Sequence, residues 1–172
     1  MEIRALRESD DRSAFRSGDA DLDRFLLKYA GQNQFRHHIG TTYVAIEGEH
    51  IVGYATVAAG HIEGEALAGR LRKKLPTYPL PILRLARLAS DQEARGQGVG
   101  RELRRFVLEL ALRMSEELGC IGVVVDAKPA AVKFYQRYGF AEIEVLEGQS
   151  EARPMPATMF LPLRDIAAAK GE

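Results

Sequence analysis

The sequence predicts a mixed α/β fold, one sheet with helices on both faces, and three observations carry the prediction. Residues 41–46 and 51–59 are rich in β-branched and apolar side chains and flank Glu47-Gly48-Glu49-His50, the pattern of an antiparallel hairpin. An apolar run at 82–89 leads into a segment where Val99, Leu103, Phe106, Val107, Leu110, Met114 and Leu118 recur every three or four residues, one face of a long helix. Residues 121–125 are again an apolar strand. Strand, helix and strand in that order demand a parallel pair, whereas the hairpin demands an antiparallel one. A mixed sheet satisfies both.

The remaining elements follow in order. Residues 2–6 read as a first strand. Ser17 or Asp19 can cap a helix whose apolar positions are Leu22, Phe25, Leu26 and Tyr29, with Gly31 at its end. A polar stretch, 32–40, leads to the hairpin. Residues 64–74 form a short basic segment of helical character. Leu75-Pro76-Thr77-Tyr78-Pro79-Leu80-Pro81 breaks it, because proline cannot continue a helix and favours extended neighbours. The central strand is then 82–89, and Gly119 stops the helix that follows. Pro129 suits the first turn of a helix that runs to Tyr138 and ends at Gly139. Residues 140–145 are a strand, 147–156 a polar loop and 157–163 a last strand. The alanine-rich tail from Asp165 is expected to fray. No repeat, low-complexity linker or composition break appears, so a single domain spanning 1–172 is expected.

Bulk properties exclude several function classes. With 46% hydrophobic and 28% charged residues the composition is that of a globular domain. No apolar run approaches the roughly 20 residues of a membrane span, and no signal-peptide core opens the chain, so a cytoplasmic location is expected. Net charge is zero, which removes any global field for nucleic acid. Cys120, the single cysteine, sits beside an apolar run and reads as a buried structural thiol. His37, His38, His50 and His61 lack metal-site spacing, and no metal is expected. Local basic clusters remain at Arg36-His37-His38, at 70–74, and at Arg101, Arg104 and Arg105; each taken alone reads as a solvated face.

The stretch that carries chemistry is Arg95-Gly96-Gln97-Gly98-Val99-Gly100, placed between a strand and a helix. Glycines let backbone N–H groups converge on an anion, and the helix start adds the positive end of its dipole. A plain tight turn before a capped helix fits the same residues. The stretch resembles the pyrophosphate-binding motif of the GNAT acetyltransferase superfamily, (Gln/Arg)-x-x-Gly-x-(Gly/Ala). About forty residues downstream, Phe134-Tyr135-Gln136-Arg137-Tyr138-Gly139-Phe140 resembles the family's late helix-to-strand signature. The resemblance implies the GNAT fold: a mostly antiparallel sheet of six to seven strands, splayed between its central strands.

A narrower resemblance covers nearly the whole chain. Phe15-x-x-Gly18-x-x-x-Leu22-x-x-Phe25-Leu26, Gly53-Tyr54, Ala59-Gly60, Leu75-Pro76-x-Tyr78-Pro79-x-Pro81, Arg87-Leu88-Ala89-x-Asp91 and Val124-Val125-Asp126-Ala127 are similar to the GNAT toxins of bacterial toxin–antitoxin operons. Those toxins acetylate the α-amine of aminoacyl-tRNA and so block translation. The resemblance implies a ribbon-helix-helix antitoxin as partner and a homodimer as a possible assembly. Arg84 departs from the family, which favours an apolar residue there, and so does Lys128-Pro129. A GNAT enzyme acting on a small amine or a protein N-terminus, and a non-catalytic acyl-CoA-binding module, stay open as alternatives.

The resemblance distributes roles. Backbone N–H groups across Arg95, Gly96, Gln97, Gly98, Val99 and Gly100 would hold the pyrophosphate of acetyl-CoA, with Arg95 and Arg101 adding charge-assisted bonds. Side chains at the three glycines would obstruct that approach. Leu88, Ala89 and Ser90 would pair with the pantetheine arm, the Leu88 N–H serving the thioester oxyanion. Residues 124–126, ending in Asp126, would form the opposite wall, and Phe134 belongs to the same donor site. Tyr135 occupies the family position of the acid that protonates the leaving thiolate; a half-buried core tyrosine is the structural alternative. An α-amine, with a reference pKa of roughly 7.7–8.0, needs no strong enzymic base. Acceptor phosphates would meet Arg72, Lys73 and Lys74 first, then Arg36 and Arg87. Arg87 is equally suited to a structural ion pair with Asp91.

Overall fold

The computed structural model describes residues 1–67, 75–76, 78–143 and 156–171. Its strands are β1 (Glu2–Ala5), β2 (Thr41–Glu47), β3 (His50–Ile62), β4 (Leu80–Ser90), β5 (Gly122–Ala127), β6 (Ala141–Glu142) and β7 (Ala157–Pro162). They form one sheet in the order β1-β2-β3-β4-β5-β7-β6, mostly antiparallel with one parallel pair. Its α-helices among the described residues are α1 (Ala20–Arg24), α2 (Val99–Glu117), α3 (Val132–Arg137) and α4 (Leu163–Gly171). By packing, the chain divides into two units: Met1–Ala58 with Leu85–Val107, and Ala59–Arg84 with Leu108–Glu172.

In the first unit β1 and β3 flank β2 antiparallel, with Ala5 opposite Tyr43 and Val44 opposite Tyr54. Leu6, Phe15, Phe25, Leu26, Val44, Ile46, Ile51 and Tyr54 make its core. Tyr54 is its pivot. Its ring meets Phe15 edge-on at 5.6 Å and stacks on Phe25 at 6.3 Å. Its hydroxyl donates to the Leu22 carbonyl at 2.7 Å, which satisfies an otherwise costly buried polar group. Asp19 caps α1, its carboxylate accepting the Asp21 and Leu22 N–H groups.

The helical segment does not stop at Gly31. It widens into π-helical turns over Phe25–Tyr29 and Gln32–His37 and ends at His38, whose φ of 55° is left-handed. The polar stretch expected as a loop is therefore partly helical. Its reason lies outside its own sequence: Phe35 packs on the core, and Gln34 bridges the Leu6 carbonyl and the Thr42 N–H at 3.1 and 2.9 Å.

Gly53 lets α2 approach the sheet. A Cβ there would lie 2.5 Å from Val99 Cγ1, 2.9 Å from Leu103 Cδ1 and 3.0 Å from the Ala89 carbonyl oxygen. Gly53→Ala must push the start of α2 outward, and overpacking of this kind costs about 1–3 kcal/mol. The expected outcome is a lower thermal midpoint, which calorimetry checks.

In the second unit β7 pairs antiparallel with β5 and β6, around a core of Ile62, Leu67, Leu80, Ile82, Val124 and Phe160. Three expectations change here. The strand predicted over 82–89 begins earlier, at Leu80, because Pro81 still offers a carbonyl, which accepts the Ile121 N–H at 2.9 Å. Leu118 is 84% exposed: α2 ends at Glu117, and the chain leaves the apolar face one residue too soon. The tail from Asp165, expected to fray, is α4. The Leu163 N–H is tied to the Ile121 carbonyl at 2.8 Å, and Ile166 and Ala169, three residues apart on one face, are buried. Of the basic segment predicted at 64–74, a single 3₁₀ turn at Gly64–Ala66 lies within the described residues.

Candidate active site

The glycine turn is built in the first unit. Asp91 sets its entry: the Asp91 carboxylate accepts the Glu93 N–H at 2.9 Å and the Arg16 N–H at 3.0 Å, and the Asp91 N–H donates to the Val52 carbonyl at 2.8 Å. A 3₁₀ turn at Gln92–Ala94 follows. Gly96 and Gly98 then take left-handed φ values of 81° and 79°, which few non-glycine residues tolerate. The first bond of α2 runs from the Glu102 N–H to the Gly98 carbonyl at 3.0 Å. Val99, Gly100 and Arg101 therefore begin the helix with N–H groups that have no intrahelical partner, the arrangement that binds anions.

A Cβ at Gly96 or Gly98 would meet no protein atom within 4 Å, so these two glycines answer to backbone conformation and to open space above the turn. At Gly100 a Cβ would only touch Ser90 Oγ at 3.6 Å, an ordinary contact. Arg95 is partly committed to the fold: its guanidinium donates to the Ser17 carbonyl at 2.9 Å. Gln97 and Arg101 are exposed. This bracing explains Phe15-x-x-Gly18. Phe15 is buried, the Arg16 carbonyl accepts the Gln92 N–H at 2.8 Å, and Gly18 at φ 95° packs against the Gln92 and Arg95 side chains.

Leu88, Ala89 and Ser90 close β4, with Ala89 buried in the first unit's core and its neighbours half-buried. Arg87, just before them, does not pair with Asp91. Its guanidinium carbon lies 3.7 Å from the Phe25 ring centroid, a cation–π contact. Burial pushes the Tyr54 phenol well up; the charge of Arg87 acts against that rise, and those of Asp23 and Asp19 add to it.

Tyr135 and Asp126 belong to the second unit. Tyr135 is 6% exposed on α3, with Phe134 and Phe140 edge-on at 5.1 and 5.3 Å. Burial pushes its phenol up to about 12. The hydroxyl is thus fully protonated at neutral pH, as a proton donor must be. Tyr138, three residues on, is half-buried against Phe134 at 5.1 Å. The Asp126 carboxylate is engaged at both oxygens, by Arg84 at 2.9 Å and by the Thr158 hydroxyl at 2.9 Å. Arg84 thereby acquires a role that its strand position did not suggest. Its charge is neutralised across two strands.

Arg36 is exposed at the end of the second π-helical turn, while Arg72, Lys73 and Lys74 lie outside the described residues. A basic groove was missed. Arg12, Arg16, Arg24 and Lys28 line an open groove of about 500 Å³ beside Phe15, Leu27 and Asp23, with Arg24 ion-paired to Asp21. The spacing of four in each pair, 12 with 16 and 24 with 28, was a legible hint. What hid the groove was that two stretches separated in sequence fold onto one surface. Among the described residues no helix is long and apolar enough to cross a membrane.

The GNAT acetyltransferase domain family matches residues 38–142. The chain is 29% identical over 170 residues to a tRNA-acetylating toxin of Mycobacterium tuberculosis (strain ATCC 25618 / H37Rv), covering 98% of this chain and 96% of that one. The fold superposes on AtaT complexed with acetyl-methionyl-tRNAfMet with a TM-score of 0.83, 26% identity and 97% of each chain covered. It superposes on AtaTR bound with AcCoA with a TM-score of 0.77, 27% identity and 97% and 96% covered. With a glycine turn opening a long helix, a late buried tyrosine and a family match over most of its length, the chain belongs to the GNAT acetyltransferases.

Proposed function

We propose that the whole chain, residues 1–172, works as a single acetyltransferase domain that moves an acetyl group from acetyl-CoA to the α-amine of an aminoacyl-tRNA, as a toxin that halts translation. The observation that carries the donor half is the pair of left-handed glycines opening α2, which leaves converging N–H groups and clear space for a pyrophosphate. The acceptor half rests on the similarity to a tRNA-acetylating toxin over nearly the full length of both chains. When bound, acetyl-CoA supplies the activated acetyl thioester.

The chain's own residues do the rest. Gly96, Gly98, Val99, Gly100 and Arg101 grip the donor through backbone N–H groups, with Arg101 and the remaining donors of Arg95 adding charge. Leu88, Ala89 and Ser90 align the thioester arm, and the Leu88 N–H stabilises the oxyanion. Asp126, fixed by Arg84 and Thr158, and Phe134 border the arm. Tyr135 holds a proton at Oη for the departing thiolate. Desolvation raises the pKa of a thiolate as it raises that of a phenol, so exclusion of water keeps the pair matched. Arg36, Arg72, Lys73 and Lys74 contact acceptor phosphates.

The partner is an antitoxin of ribbon-helix-helix type, a homodimer is the assembly the family resemblance allows, and the compartment is the cytoplasm. Incubating the purified chain with labelled acetyl-CoA and a pool of aminoacyl-tRNAs is expected to give N-acetyl-aminoacyl-tRNA and acetyl-CoA-dependent arrest of cell-free translation. Labelling of free amines with none of the tRNA would overturn the assignment.

A pH profile adds a prediction. Tyr135, pushed up to about 12, stays protonated across the working range and contributes no alkaline fall between neutrality and pH ~9. The rising limb of kcat/KM belongs to the acceptor α-amine, which must lose its proton, with an apparent pKa of roughly 7.7–8.0. A fall in rate between neutrality and pH 9 would show that another group supplies the proton.

A further inference from the structure

We propose that Arg87 anchors the acceptor, its guanidinium lying against Phe25 and gripping a phosphodiester near the aminoacylated 3′ end; this rests on the aminoacyl-tRNA function proposed above. Arg87 is half-buried on β4, one residue before the segment assigned to the thioester arm. Three other arginines of the chain reach an acceptor. Arg4 makes a two-pronged bond to Asp10 at 2.8 Å, Arg84 reaches Asp126 at 2.9 Å, and Arg12 donates to the Leu26 carbonyl at 3.1 Å. Arg87 has no carboxylate or carbonyl partner among the described residues; its contact is the Phe25 ring, 3.7 Å from ring centroid to guanidinium carbon.

That combination points to an anion. A guanidinium partly stripped of water needs acceptors for its N–H groups, and an aromatic ring satisfies its face but leaves the rim donors free. A rim of coplanar donors matches two oxygens of a phosphate in a bidentate grip, which a lysine cannot reproduce. The element that supplies Phe25 continues as a wall of the groove, where Lys28 adds positive charge. The strand and its helical cover thus hold a fixed cation beside the assigned reaction segment.

The test compares two acceptors at saturating acetyl-CoA: an aminoacylated RNA hairpin with an intact 3′ end, and the same amino acid esterified to adenosine, which has no phosphate. Arg87→Gln should lower kcat/KM for the hairpin about 10- to 100-fold, mainly through KM, and change the adenosine ester less than about threefold, as loss of one charge-assisted contact requires. Arg87→Lys should recover only part of the loss, because a point charge cannot lie flat on the ring or bind bidentately. The KM for acetyl-CoA should stay constant in both variants. Equal losses on the two acceptors, or no loss on the hairpin, overturn the proposal. A wild-type chain inactive on both acceptors overturns the aminoacyl-tRNA function and this proposal with it, whereas an active wild type with an unaffected Arg87→Gln overturns only the role of Arg87. Should Arg87→Gln fail to fold, Arg87→Lys keeps charge and bulk, and its ratio between the two acceptors decides.

Discussion

Tyr135→Phe is expected to lower turnover by about 10²- to 10⁴-fold, the usual contribution of a positioned acid, while leaving acetyl-CoA binding and thermal stability nearly unchanged. The change removes one oxygen and no ring. The edge-on contacts with Phe134 and Phe140 survive it, so packing is conserved. Turnover falls because the thiolate then leaves unprotonated, or waits for solvent. Single-turnover acetyl transfer, calorimetric titration with CoA and a melting curve together separate these effects. Retained turnover with an intact fold would return Tyr135 to a purely structural place in α3.

Gly98→Val should raise the KM for acetyl-CoA by about 10- to 100-fold, the equivalent of roughly 1.4–2.8 kcal/mol of lost donor binding. Two causes act together. A β-branched residue at φ 79° resists the left-handed region, so the turn relaxes away from its geometry. Any side chain that does adopt it projects into the open space above the helix start. The acceptor KM should move little. Protection of the turn from proteolysis by added CoA gives a second readout, and an unchanged donor KM would mean that the pyrophosphate lies elsewhere.

Much of this architecture was legible because it depends on short-range periodicity. The hairpin appeared within three residues of 41–46 and 51–59, and α2 matched its three-and-four spacing from Val99 onward. Gly96 and Gly98 announced a left-handed turn by their identity alone. Tyr135 stood in a recognisable signature. Elements that hang on distant partners were not legible. The π-helical turns depend on Gln34 bridging Leu6 and Thr42, and α4 on the Leu163 bond to Ile121. Neither leaves a local trace.

The charged residues divide the same way. Motif and family resemblance pointed to the glycine turn and to Tyr135, since glycines at a helix start and an aromatic signature are local features. Tertiary structure decided which charges are spent and which are available. It gave Arg84 to Asp126, drew Arg95 partly toward Ser17, set Arg87 on Phe25 instead of Asp91, and gathered Arg12, Arg16, Arg24 and Lys28 around one groove. The physical reason is range. Backbone conformation is chosen by a residue and its near neighbours, but a long charged side chain takes whichever partner the folded chain brings within a few ångströms.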